Sequence, residues 1–150
     1  MELVTSQVLS SECYQSFRFD PIQQPIQHKK AEEYPFYVWF FYCLAQEPGV
    51  KLQCLTITSS VEKENQKEFP LAQELESDFL RKSFSELYLL GITFSVYNLL
   101  SWDLDIQYKR KDYSFRGFVD SSVITVFFKD KEDNNPKELL ESIDKKLQNL

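Results

Sequence analysis

Seven of the nine residues from 34 to 42 are aromatic, and the apolar segment continues to Ala45. Aromatic side chains at this density bury large areas in a core or form adhesive surfaces. Pro35 precedes the segment and the Glu47-Pro48-Gly49 turn follows it. A continuous apolar run between such turn signals predicts a strand over residues 36–45 that is buried on both faces.

The segment from Val50 to Thr58 follows the turn and is rich in β-branched and apolar residues, so the two segments are expected to form a hairpin. Side chains alternate between the two faces of a strand, so Tyr37, Trp39 and Phe41 would share one face. Left uncovered, that face would be a large apolar surface, and the sequence therefore predicts that these three residues bind a partner. Cover by the N-terminal segment and a small-molecule pocket are the two alternatives.

Alternation of apolar and polar residues indicates further strands. Leu104, Ile106 and Tyr108 alternate with polar side chains, which predicts a half-exposed strand. Other strands are predicted over residues 92–96, 113–119 and 123–128, with the basic run Lys109-Arg110-Lys111 as a solvated hairpin turn.

Three helices are predicted. Val4, Val8 and Leu9 have helical spacing, which favours a short helix over residues 3–15. An amphipathic helix is expected to begin at Pro70 and to end at Gly91. The last helix is expected to start at Asn134-Asn135-Pro136, with an Asn cap followed by Pro at the first helical position. Residues 20–33, which contain two prolines, are expected to form an irregular connector.

These elements define the fold class. The chain has 150 residues, the size of a single domain, and no linker or repeat divides it. The predicted fold is α+β: a single antiparallel sheet of about five to six strands, with amphipathic helices packed mainly on one face.

Charge and cysteine content limit the possible partners and location. The net charge of −6 opposes the counterion release that dominates nucleic-acid binding, so we expect no nucleic-acid partner. The three cysteines are odd in number and form no CxxC motif, which suits a reducing compartment, although a bridge between Cys43 and Cys54 stays open. We find neither a signal peptide nor an apolar run of the ~20 residues that a membrane span needs, and expect a cytoplasmic protein.

Catalytic and metal-binding patterns are weak. His28 is the only histidine, and its sequence neighbours include no acid that would orient it as a general base. Asp103 and Asp105 would lie on the same face of a strand, but their alternation with Leu104 and Ile106 is typical of the solvent side of an amphipathic strand. The sequence therefore predicts no catalytic residue, metal or cofactor.

Two functions remain. The favoured one is a non-enzymatic protein-interaction module, such as a small acidic adaptor, chaperone or inhibitor subunit, that binds another protein or a second copy of itself through the aromatic sheet face. The alternative is a small-molecule-binding or enzymatic α+β domain with an aromatic-lined pocket. For that alternative the ligand-binding candidates are Asp103, Asp105, Tyr108 and Arg116.

Overall fold

The computed structural model describes residues 1–9, 11–20, 35–59, 66–70 and 99–149. Within these residues the chain forms seven strands and two helices. In chain order they are β1 (Glu2–Val8), β2 (Cys13–Arg18), α1 (Phe36–Gln46), β3 (Val50–Ser59), β4 (Gln66–Pro70), β5 (Leu99–Tyr108), β6 (Lys111–Phe118), β7 (Val123–Phe128) and α2 (Asn135–Gln148).

The strands form one sheet in the order β1-β2-β7-β6-β5-β3-β4, and every pair of neighbours is antiparallel. The predicted α+β class with a single antiparallel sheet is thereby confirmed. β1 and β4 are the two terminal strands of this sheet. The sheet has seven described strands against the predicted five to six, because β1, β2 and β4 were not predicted as strands, whereas the segment over residues 36–45 forms a helix.

The helix predicted over residues 3–15 is wrong, since this segment forms the β1–β2 hairpin. The strand-like alternation from Cys13 onward is the signal that decides the structure: Cys13, Phe17 and Phe19 are buried, and Gln15 pairs with Val126 of β7. Packing of this alternating face on the core outweighs the helical spacing of the apolar residues that precede it.

The strand predicted over residues 36–45 is also wrong, because the segment forms helix α1, and the predicted hairpin with β3 does not form. An apolar run without periodicity fits a buried helix as well as a buried strand, and its length of 11 residues favours the helix. Pro35 occupies the position before the first turn. Pro48 disfavours helical backbone at the residue before it, and Glu47 accordingly leaves the helix with ψ 127°.

Helix α1 packs its rings on the middle strands of the sheet. Phe41 meets Trp102 of β5 edge to face, with ring centroids 4.7 Å apart, and Phe40 lies 5.9 Å from Phe115 of β6. Gly117, opposite Trp102 in the β5–β6 pair, makes room for the indole. These contacts fix α1 over the central strands.

The second helix is tied to the first through Glu47, which is buried where α1 ends. Its carboxylate accepts hydrogen bonds from the Ser142 hydroxyl, 3.0 Å away, and from the Lys146 ammonium of α2. On the inner side of α2, Leu139, Leu140, Ile143 and Leu147 are buried. That the helices lie mainly on one face of the sheet stays a prediction.

Several local predictions are confirmed. The strands over residues 50–58, 113–119 and 123–128 correspond to β3, β6 and β7, and α2 begins after Asn134 as expected. The Asn134 side chain makes no capping hydrogen bond; instead Asp133 Oδ1 accepts the Asn135 N–H at 2.9 Å. Lys109 and Arg110 have positive φ and form the tight β5–β6 turn.

Other predictions fall outside the described residues. These are the helix from Pro70 to Gly91, apart from Pro70 itself, which ends β4, and the strand over residues 92–96. His28 and most of the connector over residues 20–33 are likewise outside them.

Candidate functional site

The three aromatic residues predicted to bind a partner lie in helix α1 and are almost fully buried. The exposed fractions are 4% for Tyr37, 2% for Trp39 and 1% for Phe41. Tyr37 and Phe41 lie one turn apart and meet at 5.9 Å, and burial raises the pKa of the Tyr37 phenol to about 12. The structure thus places all three in the core of the chain, and their contact with a partner stays a prediction.

The four alternative ligand-binding residues are divided between the two faces of the sheet. Asp103, Asp105 and Arg116 lie on the face opposite the Trp102 and Phe115 rings, which we call the polar face, whereas Tyr108 alternates onto the other. Arg116 Nε donates to Asp103 Oδ1 at 2.7 Å, and the Ser114 hydroxyl donates to Asp105 Oδ1 at 2.5 Å. Each carboxylate is therefore bonded to its neighbour on β6.

The pairing on the polar face continues into β7 and β2. The Arg116 guanidinium lies 4.9 Å from the centre of the Phe127 ring, and the Ser16 and Thr125 hydroxyls share a hydrogen bond of 2.7 Å. Side chains that satisfy one another in this way stabilise the sheet surface rather than present free groups to a ligand.

A cleft of about 300 Å³ lies at the β5–β6 turn and is lined by residues 110–113, Lys129, Asp130 and Asp133. Asp133 is the buried carboxylate of this cleft. It accepts hydrogen bonds from the Tyr113 hydroxyl at 2.5 Å and from the Asn135 N–H, and Lys111 Nζ lies 3.5 Å away. Burial and the bond to Asp133 raise the pKa of the Tyr113 phenol. This network joins β6 to the start of α2. Because the Asp133 carboxylate already has these partners, its role is typical of a structural residue rather than of a ligand-binding one.

Metal binding finds no support in the described part of the chain, where no group of three or more histidine, cysteine, aspartate or glutamate side chains has a suitable arrangement. The three cysteines are free thiols, so the bridge between Cys43 and Cys54 is not formed. Burial raises the pKa of the Cys43 thiol to about 12, which keeps it protonated and unreactive at neutral pH.

The sequence analysis missed the outer edge of β1. Nearly every residue of this strand is exposed, and no described strand pairs with it on the side away from β2. Four large apolar side chains are exposed on and beside it: Leu3 at 52%, Val4 at 44%, Val8 at 66% and Leu9 at 52%. We call residues 3–9 the edge segment.

The hydrogen-bond pattern shows which backbone groups face outward. Leu9 and Glu12 exchange N–H to carbonyl bonds of 2.7 and 3.4 Å, so they form a hydrogen-bonded pair at the turn. Such pairs alternate along an antiparallel ladder, and the register runs unbroken from Val8–Cys13 to Thr5–Ser16. The N–H and carbonyl groups of Ser6 and Val8 therefore point away from β2, into the free edge.

The edge segment lacks most of the features that block strand pairing. Proteins commonly protect edge strands with charged side chains, proline or a bulge. Residues 3–9 contain neither charge nor proline, and the one protective irregularity is a register shift between Leu3 and Thr5. A signal was present in the sequence, since β-branched residues without a single charge favour a strand, but the order of strands in the sheet is not visible there.

Neither described helix is long and apolar enough to cross a lipid bilayer. No protein-family model, curated protein or solved structure matches this chain.

Proposed function

We propose that this protein is a non-enzymatic interaction module, a small adaptor, chaperone or inhibitor subunit of the cytoplasm, that binds a polypeptide by strand addition at β1. The single observation behind the proposal is the edge segment: an exposed terminal strand with four exposed apolar side chains and no charge. Strand addition takes affinity from main-chain hydrogen bonds and specificity from the alternating side chains.

The backbone supplies the hydrogen bonds. Ser6 and Val8 direct their N–H and carbonyl groups outward, so an antiparallel strand can continue the ladder without any change in the β1–β2 pairing. The exposed valines and leucines offer apolar contacts on that incoming strand, and their burial is favourable by roughly 25 cal/mol per Å² of apolar surface.

The binding surface proposed here is not the one that the sequence predicted. The aromatic residues of α1 are buried, so the proposed contact uses the edge segment instead of Tyr37, Trp39 and Phe41. The small-molecule alternative has less support, because Asp103 and Asp105 are bonded within the polar face and Tyr108 lies on the other side of the sheet.

The proposal is tested by selecting peptides that bind the wild-type protein but not a variant with an altered β1 edge. A displayed library of random peptides is selected against the protein and counter-selected against Ser6→Pro, which removes an outward N–H while leaving the β1–β2 ladder intact. We expect peptides rich in β-branched and aromatic residues that bind the wild type at least about tenfold more tightly than the variant, since strand addition depends on that N–H.

Ser6→Ala is the matched control, because it changes the same side chain and keeps the N–H; it should bind the selected peptides like the wild type. Circular dichroism shows whether Ser6→Pro retains the fold, and Val8→Pro offers a second outward position. Peptides that bind the wild type, the alanine variant and both folded proline variants equally would contradict the proposal.

A further inference from the structure

We infer that the edge segment pairs with the same segment of a second copy of this chain, in an antiparallel arrangement about a two-fold axis at Ser6. The inference rests on the proposed function and names its partner. The direction of the backbone groups allows this register, and the order of side chains selects it.

The backbone of Ser6 permits a two-fold axis at this residue. In a symmetric antiparallel pair the residue on the axis faces its own copy, and the two exchange hydrogen bonds only if both direct their N–H and carbonyl groups across the interface. Ser6 meets this condition, whereas its neighbours Thr5 and Gln7 direct theirs toward Ser16 and Tyr14 of β2. An axis at Gln7 would instead pair the outward groups of Ser6 with those of Val8 in the second copy, so the backbone allows both registers and the order of side chains has to choose between them.

The order of side chains in the edge segment is symmetric about the same residue. Antiparallel pairing centred on Ser6 places position 4 opposite position 8 and position 3 opposite position 9. These positions hold Val with Val and Leu with Leu, because the edge segment reads Leu3-Val4-Thr5-Ser6-Gln7-Val8-Leu9. The apolar residues at its two ends are therefore self-complementary, as an interface between identical surfaces requires.

Charge permits this pairing. Glu2 is the only charged residue of β1, and its carboxylate lies 3.8 Å from Arg18 of β2 within the same chain. Pairing about Ser6 holds the two Glu2 side chains at opposite ends of the interface, so no like charges face each other. The net charge of −6 on each copy still opposes association at long range, and added salt should therefore strengthen the dimer.

The register shift between Leu3 and Thr5 limits the regular ladder to residues 5–8, so the contacts of Val4 with Val8 and of Leu3 with Leu9 are side-chain contacts at the two ends of that ladder. An interface this short is smaller than a standard protein–protein contact, so the dimer is expected to depend on concentration rather than to be permanent. Sedimentation equilibrium of the full chain over a wide concentration range is the appropriate measurement.

The test uses charge at the axis. Ser6 is exposed, so Ser6→Lys and Ser6→Glu leave the single chain intact but bring like charges face to face in the dimer. We expect each variant alone to associate about tenfold more weakly than the wild type. An equal mixture of the two should recover the association, because lysine then faces glutamate.

Phe118→Lys and Phe118→Glu provide the matched control, since Phe118 is half exposed on β6, away from the edge. Neither variant nor their mixture should alter association. The lysine variant at Ser6 also lowers the net negative charge of the chain, so a weaker dimer there cannot arise from overall repulsion.

Each outcome has a distinct meaning. A wild-type dimer that the Ser6 variants do not weaken, or whose weakening their mixture does not reverse, overturns pairing about Ser6. A chain that stays monomeric at every concentration also overturns it, and the peptide selection then decides separately whether β1 binds a different strand. Failure of both experiments removes the proposed function as well.

Discussion

β1 and β4, the two terminal strands among those that the structure describes, differ in chemistry although both lie at an end of the sheet. β4 has the sequence Gln-Lys-Glu-Phe-Pro, with two charges and a proline in five residues. β1 has seven residues and a single charge at its first position. Charge and proline are the usual means of discouraging edge pairing, so the composition of β4 opposes a new strand while that of β1 permits one. Edge chemistry, rather than the aromatic content of the chain, therefore distinguishes the surface that we propose for binding.

The largest expected effect concerns the packing of β5 on β6, the strands that lie between the two edges of the sheet. A Cβ added to Gly117 would lie 2.4 Å from a carbon of the Trp102 indole, which is fully buried and has little space to move. Gly117→Ala should therefore cost about 3 kcal/mol or more of unfolding free energy, measured by urea denaturation.

Gly49→Ala is the control for this prediction. Gly49 has φ 82°, but an added Cβ would approach Tyr108 no closer than 3.9 Å, so its cost is backbone strain of about 1 kcal/mol. Equal losses at the two glycines would contradict the close packing of Trp102 on β6.

The next effect tests the direction of the β1 backbone groups. Gln7→Pro removes a ladder hydrogen bond to β2 and leaves the Tyr14 carbonyl without its donor, so we expect a loss of about 1–3 kcal/mol. Ser6→Pro removes an outward N–H and should cost less than about 1 kcal/mol. Thermal or urea unfolding of the two variants at low protein concentration measures the difference, and the reverse order would show that the outward residues have been assigned wrongly.

The smallest expected effect is a dependence on pH: the free energy of unfolding should change with pH because of buried groups in the core, whereas binding at the edge segment should not. Burial raises the pKa values of Tyr37 and Cys43 to about 12 in the folded chain, from ordinary values of 10.0 and 9.0. Their contribution to stability is complete below those ordinary values and is lost as the pH rises toward 12, because the unfolded chain releases its protons first. At pH 9.5 the loss should be about 1 kcal/mol.

The edge segment has no titratable side chain, so peptide binding at β1 should change little between pH 7 and pH 9.5 while the protein remains folded. Urea unfolding and peptide titration at the two pH values test both halves of this prediction. Unfolding free energy that is constant up to pH 11 would contradict the burial of these two groups.

How much of this structure was predictable depends on periodicity. β5 and β6 alternate between apolar and polar residues, β7 is a short apolar run rich in β-branched residues, and α2 has both a start signal and an apolar stripe, so all four were predicted correctly. Helix α1 is apolar on every side and has no period to read. Because the segment was predicted as a strand, alternation placed Tyr37, Trp39 and Phe41 on one uncovered face, whereas helix α1 buries all three, and their contact with a partner stays a prediction.

The candidate site itself could not be reached from the sequence. An exposed edge is a property of strand order: among the described strands β1 has β2 as its single neighbour, and β2 pairs on its other side with β7, more than 100 residues further along the chain. The symmetry of residues 3–9 is visible in the sequence, but it has meaning only once this segment is known to be a terminal strand.

Amide hydrogen exchange of β1, followed residue by residue at low and at high protein concentration, shows whether the outward N–H groups of β1 are free in the single chain and paired in the dimer. We expect the Gln7 amide to be protected at both concentrations by its bond to β2, whereas the Ser6 and Val8 amides exchange freely in the dilute protein and become protected in the concentrated one. Free exchange of Ser6 and Val8 at every concentration would contradict pairing of the edge, and their protection even at high dilution would contradict an open edge in the single chain.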